Sequence, residues 1–172
     1  MTKLTPPKRP VRLDRRALLL GAAAAGLVSA PALAADVQAA FSGSPWRKLS
    51  DADWKSRLPP LSFSVLRQEG TEEPFTSPLL SEHRRGTFAC LGCDLPLFKS
   101  DWKYDSHTGW PSFYTAFEQN LGHRQDFKLV IERDEYHCAR CQGHQGHRFD
   151  DGPEPTGLRY CNNGAALKFI PA

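Results

Sequence analysis

The sequence predicts a mainly β fold, an antiparallel β-sheet domain preceded by small N-terminal helices. Helix signals are confined to one stretch. Ser50 precedes an acid by three residues and begins a short helix that Pro59-Pro60 must end, and a second helix runs from Ser62 to Glu69. Farther along, short strand-like segments are separated by Gly, Pro, Asn and Asp. These strands are predicted at Gly86–Cys90, Leu97–Phe98, Trp110–Tyr114, Phe127–Glu132, Glu135–Cys138, Arg148–Phe149, Leu158–Asn163 and Ala166–Ile170.

Residues 1–34 have the organisation of an export signal. Arg15 and Arg16 lead into an apolar, Ala-rich run at 17–30, and residues 32–34 offer the small side chains that a signal peptidase requires. Adjacent arginines before a weakly hydrophobic core resemble a twin-arginine signal. An uncleaved membrane anchor is the alternative, but the run has about 14 residues and a membrane span needs about 20. We therefore expect a periplasmic or otherwise exported protein without stable membrane insertion after cleavage.

The remaining chain is predicted to hold a short flexible leader at 35–44 and one domain at 45–172. The whole chain of 172 residues has a formal charge of +3. Residues 1–35 contain six basic residues and one acidic residue, so the part after them carries a charge of −2. Binding to nucleic acid or to an anionic membrane needs a surplus of Lys and Arg on the folded surface. The charge therefore argues against both partners.

Four of the five cysteines form two Cys-x-x-Cys pairs, Cys90 with Cys93 and Cys138 with Cys141. Each pair can direct two thiolates at one tetrahedral ion, and both spacings match a structural zinc site. Structural disulfides and a thioredoxin-like dithiol are the open alternatives. The pattern favours one structural Zn²⁺, so the expected fold is an antiparallel β-sheet domain stapled by a four-cysteine zinc site.

The fifth cysteine, Cys161, is the candidate nucleophile. Because side chains alternate along a strand, Arg159, Cys161 and Asn163 are expected on one face and Leu158 and Tyr160 on the other. A nearby guanidinium favours the thiolate, the reactive form of cysteine. A single free cysteine is also often a small buried apolar residue. From these residues alone the two interpretations carry equal weight.

Two histidines, His144 and His147, change that balance. They follow the second cysteine pair by only a few residues, so a metal would fix the predicted loop that carries both imidazoles. Histidine is the side chain that exchanges protons near neutral pH, which a nucleophilic thiol needs beside it. The alternatives are that the two histidines are metal ligands or solvated loop residues.

Taken together, these motifs resemble the B-type methionine sulfoxide reductase family, and the similarity extends from about Trp46 to Ile170. One member of that enzyme class acts on each sulfoxide epimer. The resemblance rests on four segments in a fixed order, which are Gly86–Cys93, Gly109–Phe113, His137–His147 and Arg159–Asn163. It implies an oxidoreductase that reduces methionine-(R)-sulfoxide, free or in oxidised proteins, to methionine.

The resemblance also implies roles for individual residues. Cys161 attacks the sulfoxide sulfur, and His147 protonates the departing oxygen, because oxide itself is an impossible leaving group. His144 and Asn163 orient substrate and water. Trp110 forms an apolar wall for the S-methyl group, and Arg159 is placed in the same substrate site. The products are methionine and a sulfenic acid on Cys161.

One departure from the family pattern concerns Thr108, where many relatives have a second, resolving cysteine. With four cysteines assigned to zinc, no internal thiol remains, so an external thiol, either thioredoxin-like or small, must reduce the sulfenic acid. Asn162, where relatives more often have an apolar residue, has no evident role.

We expect a monomer. The alternative function is a non-catalytic zinc-stapled β module that binds other proteins like a chaperone, since fold alone does not dictate function.

Overall fold

A computed structural model describes residues 39–126 and 133–172 of the chain. The predicted export signal and the predicted strand at Phe127–Glu132 lie outside these residues. Within them the fold is mainly antiparallel β with two short α-helices, as the sequence predicts. No helix of the described residues is long and apolar enough to cross a membrane.

The two helices begin and end close to their predicted limits. Helix α1 spans Asp51–Arg57 and helix α2 spans Pro60–Gln68. Ser50 and Asp53 form the expected capping box, in which the Ser50 hydroxyl accepts from the Asp53 N–H and the Asp53 carboxylate accepts from the Ser50 N–H. Helix α2 starts at Pro60, two residues earlier than predicted, because proline fits the first turn of a helix.

Nine strands in the described part of the chain form two antiparallel sheets. Strands β2, β1 and β9 make a three-stranded sheet, and a six-stranded sheet has the order β3-β4-β8-β7-β6-β5. The strands are β1 (Gly86–Cys90), β2 (Pro96–Lys99), β3 (Lys103–Tyr104), β4 (Ser112–Phe113), β5 (Leu121–Asp126), β6 (Arg133–Cys138), β7 (His144–Phe149), β8 (Arg159–Asn162) and β9 (Leu167–Pro171). Short 3-10 turns lie between these elements at Pro45–Lys48, Pro78–Ser81, Ser100–Trp102, Glu118–Asn120 and Gly164–Ala166.

The prediction that His144 and His147 lie in a loop is wrong. Both lie on β7, which begins at His144 and is four residues longer at its start than the predicted segment. Its pairing with β6 contains a register irregularity near His137. The polar residues of β7 gave no strand pattern in the sequence, because three of its side chains pair with carboxylates on β5 and β6 instead of packing in an apolar layer.

An aromatic core fills the space beneath the six-stranded sheet. Phe98 stacks on Phe113 with ring centroids 4.0 Å apart, and Tyr136 and Tyr160 meet edge to face at 5.5 Å. All four side chains are almost completely buried. Tyr160 and Tyr136 point into this core, so their neighbours in sequence face the opposite side of the sheet. That opposite face carries the candidate site.

The described end of the predicted leader contacts the domain. The Phe41 ring packs against the core, and the Arg140 guanidinium lies 5.8 Å from its centroid. The division into signal, leader and domain remains a prediction.

Candidate active site

The four paired cysteines meet in one buried cluster. Their sulfur atoms all lie within 4.8 Å of one another, with Cys90 and Cys141 3.6 Å apart and Cys93 and Cys138 3.4 Å apart. Around a tetrahedral ion with Zn–S bonds of about 2.3 Å, sulfur atoms stand roughly 3.8 Å apart. The cluster therefore fits a four-thiolate metal site, and all four cysteines are free of disulfides.

The cluster joins the two sheets. Cys90 and Cys138 end strands β1 and β6, and the other two cysteines lie in the turns that follow. Hydrogen bonds with the neighbouring thiols, Cys138 first, raise the pKa of Cys90 well above its usual range. Burial does the same for the pKa of Cys138. Hydrogen bonds accepted from the other thiols lower the pKa of Cys141. Complete ionisation of four packed thiols needs a cation among them.

A row of directly paired residues crosses the six-stranded sheet from β3 to β6. Tyr104 pairs with Ser112, Ser112 with Cys161, Cys161 with His147, and His147 with Glu135. Directly paired residues in an antiparallel sheet lie on the same face. The nucleophile and imidazole that the sequence singled out are therefore neighbours on adjacent strands.

Cys161 and His147 share a cavity of about 130 Å³ with Trp110 and Asn163. The structure thus brings together four of the predicted site residues. Phe149 also lines the cavity, and its role was not anticipated.

Burial is the largest influence on the Cys161 thiol and raises its pKa. The positive charge of Arg159 acts in the opposite direction, as do hydrogen bonds from Thr108 and Ser112. The expected help from the guanidinium is therefore present, but burial outweighs it. The thiol, not the thiolate, is the resting form of Cys161 at neutral pH.

Arg159 is fixed near Cys161 by its own partners. Its Nε and Nη2 donate to the two carboxylate oxygens of Asp151 at 2.7 and 2.8 Å, and its guanidinium lies 4.2 Å from the centroid of the Phe149 ring. Arg159 is not among the residues that line the cavity. Its charge and a hydrogen bond from its side chain both lower the pKa of Cys161.

His147 is held by a carboxylate that sequence reasoning missed. Its Nε2 lies 2.8 Å from Oδ2 of Asp126. Burial lowers the pKa of His147, and the positive charge of Arg133 adds to this, whereas Asp126 raises the pKa and only partly compensates. The imidazole is therefore mostly neutral near pH 7, with the Nε2 proton bound to Asp126 and Nδ1 left to exchange a proton.

His144 lies behind His147 and does not line the Cys161 cavity. Its ring centroid is 5.4 Å from that of His147, and its Nδ1 is 2.7 Å from Oε1 of the buried Glu135. Burial would raise the pKa of Glu135, but hydrogen bonds from His137 and His144 outweigh it and lower the pKa to about 2. His144 thus touches the predicted acid and not the nucleophile.

A chain of hydroxyl groups stands on the other side of Cys161. Ser106 Oγ is 2.8 Å from Thr108 Oγ1 and 2.7 Å from Ser112 Oγ. Thr108, at the position where the family resemblance places a resolving cysteine, is therefore close to the nucleophile but carries a hydroxyl. A hydroxyl can donate a hydrogen bond to sulfur but cannot form a disulfide.

Glu72 connects Trp110 and Asn163, and no sequence signal pointed to it. The Glu72 carbonyl accepts from Trp110 Nε1 at 3.0 Å, and the Glu72 N–H donates to Asn163 Oδ1 at 3.0 Å. Its buried carboxylate accepts from the N–H groups of Gly164 and Ala165, the latter at 2.9 Å. One residue therefore sets the position of two cavity walls.

The matches with known proteins agree with this geometry. A SelR domain matches residues 58–171. A peptide methionine sulfoxide reductase MsrB from Leptospira interrogans is 50% identical over 121 residues, which are 70% of this chain and 92% of that protein. The protein of the same name from Agrobacterium fabrum is 45% identical over 129 residues, which are 74% and 96% of the two chains. The chloroplastic reductase B1 of Arabidopsis thaliana is 47% identical over 121 residues, 70% of this chain and 60% of the longer plant protein.

The SelR match covers both cysteine pairs, the cavity and the residues that line it. Together with the similar reductases it confirms the resemblance found in the sequence. The chain therefore belongs to the SelR-domain family of B-type methionine-(R)-sulfoxide reductases, a family of oxidoreductases.

Proposed function

We propose that the chain reduces methionine-(R)-sulfoxide, free or in proteins, to methionine. The observation that carries this proposal is the placement of Cys161 and His147 on facing positions of adjacent strands, in one small cavity with Trp110 and Asn163. The relatives named above are peptide methionine sulfoxide reductases, and the SelR match extends over these residues.

The proposed reaction moves one oxygen atom from the substrate sulfur to the enzyme sulfur. Cys161 Sγ attacks the sulfoxide sulfur and gives up its thiol proton to His147, and His147 supplies a proton to the oxygen. The S–O bond of the substrate then breaks, and the oxygen passes to Sγ as a sulfenic acid. The substrate sulfur gains two electrons and becomes the thioether of methionine, and Cys161 loses the same two electrons. Trp110 offers its indole face to the S-methyl group, and Asn163 and His144 keep substrate and imidazole oriented.

The cycle closes with an external thiol. A first thiol attacks the Cys161 sulfenic acid, releases water and leaves a mixed disulfide, and a second thiol releases Cys161. With Thr108 beside the nucleophile and the other four cysteines in the metal cluster, the chain has no spare thiol of its own.

We further propose that the enzyme works as a monomer, which light scattering of the purified protein tests.

The experiment uses separate R and S epimers of blocked methionine sulfoxide, with dithiothreitol as reductant. Wild type should turn over the R epimer, and Cys161→Ser should be inactive at unchanged thermal stability, because the exchange replaces only sulfur by oxygen. Turnover of the S epimer alone, or an active Cys161→Ser protein, would refute the proposal. After one turnover without reductant, mass analysis should find one added oxygen on Cys161.

We also propose that the four-cysteine cluster holds one structural Zn²⁺. Cys90, Cys93, Cys138 and Cys141 offer the donor set and spacing that zinc prefers, and the ion would cross-link the two sheets without taking part in the reaction. Elemental analysis of the purified protein should find one zinc per chain. Another metal, or none in a folded and active protein, would contradict this assignment.

A third proposal concerns the site of action. The Arg15-Arg16 pair and the apolar run after it favour twin-arginine export, which would deliver the folded domain to the periplasm. Replacing both arginines by lysine should trap a reporter fused after residue 44 in the cytoplasm. Export that is unaffected by this double exchange would contradict the twin-arginine route.

A further inference from the structure

A second and larger cavity adjoins the reaction cavity. This groove has a volume of about 750 Å³, and Trp110 lines both spaces. Phe75, Lys103 and Tyr104 also line it. We name it the Trp110 groove. None of the reaction steps described above uses it.

The groove and the reaction cavity lie on one face of the six-stranded sheet. Tyr104 stands two strands from Cys161 in the paired row, with Ser112 between them. Tyr104 belongs to β3, which is the edge strand on this side of the sheet. An edge strand presents backbone groups to which an extended polypeptide can bind. The groove therefore continues the reaction site toward the β3 edge of the sheet that the described residues form.

The lining of the groove is negatively charged. Asp101 and Asp105 are exposed within it, whereas Lys103 is partly buried and donates from Nζ to the Leu80 carbonyl at 2.8 Å. A third carboxylate, that of Glu82, is already paired with an arginine. Two imidazoles also line the groove, and His107 Nδ1 lies 3.2 Å from Oδ2 of Asp105. The three carboxylates of the lining still outnumber its single ammonium group. A neutral or basic ligand would suit this surface better than an acidic one.

An exposed aromatic side chain lines the groove together with Trp110. Phe75 is 71% exposed, and its N–H donates at 2.8 Å to the carbonyl of Gly109, the residue before Trp110. The Phe75 backbone is left-handed, with φ at 64°, which is unusual for a bulky residue. The chain thus holds a large apolar group in water at the Trp110 groove, which is typical of a binding surface.

We propose that the Trp110 groove binds the polypeptide that flanks a methionine sulfoxide, in extended form and with neutral or basic residues preferred over acidic ones. The proposal rests on the proposed function. The reaction cavity of about 130 Å³ admits one side chain, so the main chain of a protein substrate must lie outside it. Phe75, Trp110 and the edge of β3 offer that main chain an apolar and hydrogen-bonding path.

The test compares two blocked pentapeptides with a central methionine-(R)-sulfoxide, flanked on each side by two lysines or by two glutamates. The measured quantity is the ratio of their kcat/KM values in low salt with dithiothreitol. Wild type should prefer the lysine peptide by about three- to tenfold, the scale of one or two exposed ion pairs. In the double variant Asp101→Asn, Asp105→Asn the ratio should approach one. The amide oxygen that replaces the Asp105 carboxylate can still accept the His107 N–H, so the local turn is kept.

A matched control removes two exposed carboxylates outside the groove, Asp51→Asn with Glu154→Gln, and should keep the wild-type ratio. A second variant, Phe75→Asn, suits the left-handed backbone and should lower kcat/KM for both pentapeptides relative to a blocked single amino acid. A wild-type ratio of one, or equal effects of the control, would overturn the proposal.

If the groove variants slow the reduction of the Cys161 sulfenic acid and leave peptide kcat/KM unchanged, the groove serves the reductant and the proposal is wrong. Failure of the proposed function has a different signature, because wild type would then turn over neither the pentapeptides nor the blocked amino acid.

Discussion

Glu72→Gln tests whether one buried carboxylate positions both walls of the reaction cavity. The exchange is nearly isosteric, but the new amide has only one oxygen for the two N–H groups of Gly164 and Ala165 that the carboxylate accepts. Residue 72 is 4% exposed, so water cannot take over the lost contact. A buried N–H without a partner costs about 1–3 kcal/mol. For a domain of this size, that loss lowers Tm by roughly 3–15 °C.

The effect on catalysis should exceed the effect on stability. Trp110 and Asn163 bind to the backbone of residue 72, so a looser anchor moves both walls of the cavity. A catalytic geometry that is wrong by 1 Å costs about a hundredfold in rate. A smaller movement of Trp110 and Asn163 should therefore still reduce kcat/KM by at least about tenfold.

The assay measures kcat/KM for blocked methionine-(R)-sulfoxide and thermal unfolding of the same preparations. The neighbouring Glu73 is exposed and provides the matched control, since Glu73→Gln makes the same chemical change one residue away. Glu72→Asp keeps both acceptor oxygens and should recover part of the activity. If Glu72→Gln is less stable but fully active, Glu72 supports the fold alone and the reasoning about the cavity walls is wrong.

Three further predictions concern the acid, the metal and the missing thiol. Asp126→Asn removes the charge that stabilises the imidazolium of His147, so the acid limb of the kcat/KM profile should move to lower pH, and a shift to higher pH would contradict this. Cys93→Ser removes one of four metal ligands and should yield an unfolded, metal-free chain, because structural zinc contributes about 10–16 kcal/mol while a whole domain has roughly 5–15 kcal/mol of net stability. A folded, metal-loaded Cys93→Ser protein would exclude the assignment. Thr108→Cys places a thiol beside Cys161, and mass analysis after one turnover should find a disulfide in place of the sulfenic acid.

The sequence predicted those parts of the fold whose signals are local. The capping box at Ser50 and strand β1 needed only neighbouring residues. Strand β5 was missed because it is polar. Its Arg124 binds Glu135 on the next strand, with 3.0 Å between Nε and Oε2, so ion pairing replaces the apolar alternation of an ordinary strand. Strand β3 is only two residues long, which is too short for any periodic pattern.

The candidate site was predictable where residue chemistry is distinctive and hidden where it depends on distant contacts. Cysteine and histidine are rare and reactive, so Cys161 and His147 were evident from their types and spacing. Asp126 and Glu72 are acidic residues, which are common throughout the chain. Their partners, His147 and Asn163, lie 21 and 91 residues away in the sequence. Only folding brings them into contact with residues that line the cavity.

The pKa shifts at the site suit a reaction that starts from the Cys161 thiol better than one that starts from a free thiolate. Conversion of a thiol and a sulfoxide into a sulfenic acid and a thioether consumes no net proton, because the proton that leaves Cys161 is the one that the oxygen requires. Burial raises the pKa of Cys161 and lowers that of His147, so the pair shares one proton over a wide pH range. The imidazole can therefore pass this proton from sulfur to oxygen as the bond forms. The kcat/KM profile should be flat between the two pKa values, and a single steep rise toward alkaline pH would instead indicate that a free thiolate limits the rate.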